Sequence, residues 1–290
     1  MSEYNEVVAS FNLEQLDDNR FRSRSPQLSW RRIYGGLLLA HGLRAAQLTV
    51  DQADRDPHSL HCYFLRPGDI SAPLDLTVER LLDGRTINNR RVTVSQSSKP
   101  VFSLQASFRK PIPGLSHQSS LPKAVPPEDL PDEKRLADMY ASVLTPGAQH
   151  YLSREKVFEL RPVDHKLFIH PDPEDPRSGL IWVRLRTDRL PDADLAWPLL
   201  AYLSDMTALN GSLHPHGRNF FDAGISMASL DHALWMHNRP DWSDWLLMSH
   251  EAMGNEAAMG LGRVSLFNRS GMLVASIGQQ GFIRHKSPEN

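Results

Sequence analysis

The sequence predicts an α+β protein with antiparallel sheets, built from two tandem copies of one pattern. Three observations carry this. An apolar helix candidate followed by several consecutive strands occurs twice, landmarks of the first occurrence return in the second at a near-constant shift, and a proline-rich stretch separates the two. One helix and then a run of strands is not the strict β-α-β alternation of a doubly wound fold, so each sheet is expected to wrap its helix.

In the first half, residues 36–46 (GLLLAHGLRAA) form the helix candidate. Arg66-Pro67, a strand ending near Glu79 and alternating strands around Val92 and Leu104 follow. Between Lys110 and Pro131, six prolines and three serines interrupt a polar stretch with the composition of a linker, and 133–144 reads as a short helix inside that connection. An extended segment at 157–163 opens the second half. The helix at 195–209, Arg239-Pro240, a strand reaching Glu251 and strands around Val264 and Val274 follow in the same order. A shift of 172 positions puts Glu79 on Glu251, Arg91 on Arg263, Val92 on Val264 and Ser98 on Ser270. The expected organisation is an N-terminal repeat at 1–110, a Pro-rich linker with a short helix at 111–153 and a C-terminal repeat at 154–290.

The 290 residues carry 32 Lys+Arg against 34 Asp+Glu, so no excess charge draws the chain to nucleic acid or to an anionic membrane. The apolar stretches 35–40 and 195–203 fall short of the roughly 20 residues a membrane-spanning helix needs. The single cysteine, Cys62, allows neither an internal disulfide nor a thiolate metal cluster and fits a reducing cytoplasm. Glu3 and Glu6 at the N-terminus do not suit a secretory signal, and Ser287-Pro288-Glu289-Asn290 carries no targeting address. A cytoplasmic protein is expected.

Common signatures are missing. Gly224-Ile225-Ser226-Met227-Ala228 lacks the closing glycine of a nucleophile elbow, and no GxxxxGK[ST] occurs. Gly260-Leu261-Gly262 precedes a strand where a dinucleotide fingerprint needs a helix, so it reads as a bend. His58 with His61, His214 with His216, and His232 with His237 lack a third ligand at recognisable spacing, so no metal is expected.

Two polar residues interrupt apolar patterns. Asp205 lies in the apolar helix 195–209, either as a buried carboxylate that polar partners must compensate or on a narrow polar face with Ser204 and Asn210. Gln279 shares the face of Leu273, Ala275 and Ile277 by period-two alternation, and is either a working amide or a glutamine turned to solvent at the strand end. Ser229 alone says little. No spacing rule joins the three.

Longer segments carry a resemblance. They are Arg32-Ile33-Tyr34-Gly35-Gly36, His58 to Asp69 (HSLHCYFLRPGD), Asp83-Gly84-Arg85, Ser204-Asp205, Pro215-His216-Gly217, Ser229 to His237 (SLDHALWMH), and Val274-Ala275-Ser276 leading to Gln279. From roughly Asn12 to Arg284 the chain resembles acyl-CoA thioesterase II, the TesB-type family. The resemblance implies a double hotdog, two tandem repeats each with a long helix wrapped by an antiparallel sheet. It implies hydrolysis of fatty acyl-CoA to free fatty acid and coenzyme A, with no cofactor, no metal and no covalent acyl-enzyme, and it places the catalytic positions on Asp205, Ser229 and Gln279 of the second repeat. Gln279 and Ser229 are then expected to hold the attacking water while Asp205 accepts its proton or orients it.

Two departures from the family pattern stand out. Ser229 occupies a position where many relatives carry threonine, which keeps the hydroxyl. Leu37 stands where the family often has glutamine, with His41 further along the same helix, and the apolar replacement is expected to favour longer or bulkier acyl chains. Arg66, Arg90, Arg91 and Arg263 are candidate partners for coenzyme A phosphates, with surface or salt-bridged roles as the alternative. Acyl-CoA is the expected partner, with no nucleic acid or membrane, in a homo-oligomer of dimer or tetramer order. A non-catalytic acyl-CoA binding protein and a hotdog enoyl-CoA hydratase are the alternatives, although no YxxxGDxNPxH-like run supports the hydratase.

Overall fold

The computed structural model describes residues 2–24, 26 and 32–285, so the four C-terminal residues read above for an address lie outside the described residues. The first repeat runs α1 (Glu3–Ser10), β1 (Glu14–Asp17), β2 (Arg20–Ser23), α2 (Gly35–Leu48), β3 (Asp56–Phe64), β4 (Leu74–Asp83), β5 (Ile87–Gln96) and β6 (Lys99–Arg109). The connection contributes α3 (Glu133–Met139) and α4 (Pro146–Ser153). The second repeat runs β7 (Phe158–Pro162), α5 (His165–Ile169), β8 (Leu180–Leu185), α6 (Ala196–Ser204), β9 (Ile225–Met236), β10 (Leu246–Glu256), β11 (Met259–Asn268) and β12 (Leu273–His285).

The repeats share one topology. Strand order is β1-β2-β4-β5-β6-β3 in the first and β7-β8-β10-β11-β12-β9 in the second, with antiparallel hairpins throughout the three-strand meanders β4-β5-β6 and β10-β11-β12. The register preserves the sequence shift as well. Glu79 stands directly across from Arg91 on β4 and β5, and Glu251 across from Arg263 on β10 and β11, each couple forming an ion pair. Two α+β repeats of a helix against an antiparallel sheet are the double hotdog expected above.

The chain divides into two compact units, each discontinuous in sequence. The first comprises Met1–Gln118, Pro191–Met206 and Leu230–Pro240, and the second Ser119–Leu190, Thr207–Ser229 and Asp241–Asn290. Strand β9 therefore supplies its first five residues to the second unit and the remainder to the first, where Ser59 to Tyr63 of β3 pair with Trp235 to Asp231.

In the first unit α2 lies against α6, and both are buried along almost their whole length. The two backbones meet at Gly36, where a Cβ would fall 2.3 Å from the Tyr202 carbonyl oxygen. The far end of α2 is closed by Arg90, whose side chain is fully buried. Its Nε donates to the Thr49 hydroxyl, Nη1 to the Leu82 and Asn89 carbonyls, and Nη2 to the Thr49 carbonyl and to Asp83 Oδ1. All five guanidinium donors are thus engaged, with a positive charge at the helix C-terminus where the backbone dipole favours it.

In the second unit, Val163, Leu180, Trp182, Trp245 and Leu247 form a cluster covered by Leu121, Ala124 and Leu130 of the proline-rich segment. Trp182 Nε1 donates to the Val125 carbonyl at 2.8 Å, Arg161 Nη1 to the Pro127 carbonyl at 2.8 Å, and Arg269 pairs with Glu128 at 2.6 Å. Residues 121–130 therefore pack as part of the unit, whereas 111–120 are exposed. Helix α6 ends at Ser204, short of the expected 209, where the Ser204 hydroxyl donates back to the Ala201 carbonyl. The chain continues through bonds that span three residues, Met206 to Leu203 and Asn210 to Thr207, into a 3-10 turn at Asn210–His216.

Candidate active site

Strand β12 presents Ala275, Ile277 and Gln279 on one face, all at most 1% exposed. The solvent-facing alternative for Gln279 is thereby excluded. A buried amide must be hydrogen-bonded, and Gln279 Nε2 donates to the Ser229 hydroxyl oxygen at 2.6 Å. Because Ser229 accepts in this bond, its O–H proton stays available as a donor. The two residues lie fifty positions apart, brought together in the second unit by β9 and β12.

Opposite Gln279 in the β11 register stands Gly262, and the next pair on that face is Gly260 with Gly281. These glycines leave a bare strip of sheet. The backbone beyond α6 lies down on it, with the Ala208 carbonyl oxygen 2.4 Å from where a Cβ at Gly262 would stand, and Leu209 Cδ2 2.6 Å from the same point at Gly281. The Gly260-Leu261-Gly262 run is therefore part of a regular strand and not the bend expected from sequence. Its glycines serve close backbone approach.

Asp205 belongs to the first unit, where it caps the C-terminus of α6 and is half-buried. Its carboxylate sits against the first residue of α2. A Cβ at Gly35 would stand 2.7 Å from Asp205 Oδ2 and 2.8 Å from the Phe64 ring. The helix N-terminus favours negative charge at that place. Buried Cys62 registers the same carboxylate: burial first, then the charges of Asp205 and Asp231, hold its thiol well above the usual range. That thiol is protonated at neutral pH, which does not suit a nucleophile.

Several other buried or half-buried polar groups have structural partners. His41 is fully buried with its Nε2 2.9 Å from the Ser10 hydroxyl and 3.2 Å from that of Ser23, and burial lowers its pKa to about 3. His250 Nδ1 donates to the Gly179 carbonyl at 2.7 Å, so Nε2 accepts from the Thr207 hydroxyl at 2.7 Å, and its pKa falls to about 4 for the same reason. His232 Nε2 lies 2.9 Å from the Ser204 hydroxyl, and His58 Nε2 2.8 Å from that of Ser107. Among the described residues no group of three or more His, Cys, Asp or Glu is placed to hold a metal ion. The same holds for a membrane-spanning helix, none being long and apolar enough. Of the four arginines considered for phosphate, Arg90 is saturated inside the fold, Arg91 and Arg263 are paired with glutamates, and Arg66 donates to the Pro100 carbonyl.

Comparison with known proteins agrees with these features. Residues 25–109 match the acyl-CoA thioesterase N-terminal domain family, and residues 177–282 match the acyl-CoA thioesterase family. Acyl-CoA thioesterase 2 of Haemophilus influenzae is 32% identical over 282 residues, covering 97% of both chains. The crystal structure of acyl-CoA thioesterase II TesB2 from Mycobacterium marinum superposes with a TM-score of 0.76 at 31% identity, covering 97% of this chain and 99% of that one. A hot dog fold protein of unknown function from Alicyclobacillus acidocaldarius, at 17% identity and a TM-score of 0.74 over 97% of this chain and 98% of that one, shares the fold. With both repeats matched to the family and relatives of the same length aligned end to end, the chain belongs to the acyl-CoA thioesterase II (TesB-type) family and is an acyl-CoA thioester hydrolase.

Proposed function

We propose that Asp205, Ser229 and Gln279 act together on one water molecule, which attacks the thioester carbonyl directly without an acyl-enzyme. Ser229 and Gln279 position the water. Asp205 takes its proton as the new C–O bond forms, the tetrahedral intermediate collapses with cleavage of C–S, and coenzyme A leaves as thiolate and is then protonated. A thioester suits this division, since its carbonyl is electrophilic and its leaving group good.

The single observation that supports the reading best is the 2.6 Å bond from the buried Gln279 amide to Ser229, which fixes both side chains and leaves the serine hydroxyl as a donor toward a water lone pair. Backbone N–H groups near a helix N-terminus are the natural donors for the developing oxyanion. Fatty acyl-CoA is the substrate in this reading. The sequence repeats 1–110 and 154–290 joined by 111–153, a homo-oligomer and a cytoplasmic place of action belong to the same proposal.

The test is thiol release from short, medium and long acyl-CoA esters by the wild type, Asp205→Asn and Gln279→Ala, with hydrolysis also run in ¹⁸O-water under single-turnover conditions. We expect both variants to stay folded and lose about 100-fold or more in kcat, in the range usual for a lost general base or positioned donor. An acyl-enzyme trapped by rapid quench overturns the direct attack. Binding of acyl-CoA without thiol release leaves a non-catalytic binding protein in its place.

A further inference from the structure

A groove of about 430 Å³ opens in the second unit, lined by Leu213, Ile225, Met259 and Ile283 together with five polar residues, Arg218 and Glu256 among them. Nothing in the water site described above uses it. Its position on the strands relates it to that site. Ile283 lies two side-chain steps beyond Gln279 on β12, and Ile225 two steps before Ser229 on β9, a distance of about 13 Å along each strand. By period-two alternation Ile283 shares the face of Gln279, and Ile225 shares that of Ser229.

One layer separates the groove from the Gln279–Ser229 pair. It is the glycine couple Gly260 and Gly281, which has no side chains of its own. Leu209 shares the covering of it. Its Cδ2 and the Ala228 carbonyl oxygen each stand 2.6 Å from the Cβ position of Gly281, Ile283 Cδ1 and Ser212 Oγ lie over that of Gly260, and Leu209 is only 6% exposed. Along this face the order is therefore the catalytic amide, then Leu209 over bare glycine, then the apolar groove.

We propose that the groove is an acyl-chain subsite and that Leu209 is the partition that sets how far a chain extends into it. This rests on the water-site reading only for the end at which the thioester lies. In this reading shorter chains end at Leu209, and longer ones must displace its side chain. The apolar lining suits an alkyl tail, and the shared face with Gln279 and Ser229 gives the tail a direction away from the reacting carbonyl.

The experiment is a kcat/KM profile over saturated acyl-CoA esters from four to eighteen carbons for the wild type, Leu209→Val, Leu209→Ala and Leu209→Ala combined with Ile225→Trp, with melting temperatures recorded for each. The expected result is a graded shift. Valine and then alanine raise kcat/KM for the longer esters, by about tenfold with alanine, while the shortest esters stay within twofold, as for hydrophobic pocket changes of this size. The tryptophan refills the groove and reverses the gain. A folded Leu209→Val whose profile matches the wild type overturns the proposal, as does a gain in Leu209→Ala that the tryptophan leaves intact. Failure of the water-site reading looks different, because there Asp205→Asn and Gln279→Ala retain activity on every ester whatever the Leu209 profile.

Discussion

A methyl group at position 35 points at the Asp205 carboxylate, 2.7 Å from Oδ2, with the Phe64 ring closing the other side. Gly35→Ala is therefore expected to displace the carboxylate by several tenths of an ångström or more. On the proposed water mechanism a fall in kcat of about 10- to 100-fold with little change in fold follows, since small misplacements of a catalytic group carry penalties of that size. Steady-state thiol release beside a circular-dichroism melt checks it. Buried histidines set a second residue-scale behaviour. The pKa of His250 is lowered from 6.5 to about 4, so below pH 6.5 the unfolded chain takes up a proton that the folded one refuses. Stability is full above pH 6.5 and declines as pH falls toward 4, by on the order of 3 kcal/mol for this group. His41 adds to the decline with the same sign, its window reaching to about pH 3. Urea midpoints measured from pH 7.5 to 4.5 are expected to drop, and His250→Gln to show a shallower slope. At this scale the sequence was partly legible. Alternation placed Gln279 among Ala275 and Ile277, but a one-dimensional pattern holds no record of the bond to a serine fifty residues away. The partner of Gln279 therefore rested on resemblance until the fold joined β9 and β12.

At the scale of elements, helix α2 depends on a residue from a strand. Replacing Arg90 with methionine leaves the buried Thr49 carbonyl without this donor, takes one partner each from the Thr49 hydroxyl and the Leu82 carbonyl, and removes the charge that faces Asp83. A loss of about 1 to 3 kcal/mol in unfolding free energy is expected, because a buried carbonyl is left without its donor, whereas Asp83, 43% exposed, stays solvated. Equilibrium denaturation measures it, and Arg90→Lys should recover little, an ammonium being unable to span the five acceptors. The sequence offered Arg90 for coenzyme A phosphate because a cation in a strand carries no sign of which way it faces. Elsewhere the patterns sufficed: apolar periodicity located α2 over 36–46, within two residues of its observed ends, and a shift of 172 put Glu79 on Glu251 and Arg91 on Arg263, which the fold joins into equivalent pairs. Periodicity overran α6 by five residues, since Met206, Ala208 and Leu209 are as apolar as a helix face, while the last two cover bare glycine in a different backbone conformation.

At the scale of the whole molecule, the proline-rich connection has two parts with different behaviour. Residues 111–120 are exposed, whereas 121–130 are held by Trp182, Arg161 and the cluster around Trp245. A broad-specificity protease under native conditions is expected to cut first within 111–120, near fully exposed Leu115, and to spare 121–130. Mass spectrometry of the first fragments decides this, and early cleavage at 124–127 contradicts the packing. Composition alone merged these two parts, because proline and serine mark a linker equally well whether or not a neighbouring tryptophan face receives it.

The discontinuity of the two units bears on how the protein is made. The first unit starts at the N-terminus yet is completed only by Pro240, so once Gln118 has been translated another 122 residues must follow before its last segment exists. At about 5 to 20 residues per second this is a wait of roughly 6 to 24 seconds. Throughout most of it the apolar surface of α2 that later receives α6 has no partner, so this nascent chain is expected to depend on chaperone cover until α6 arrives.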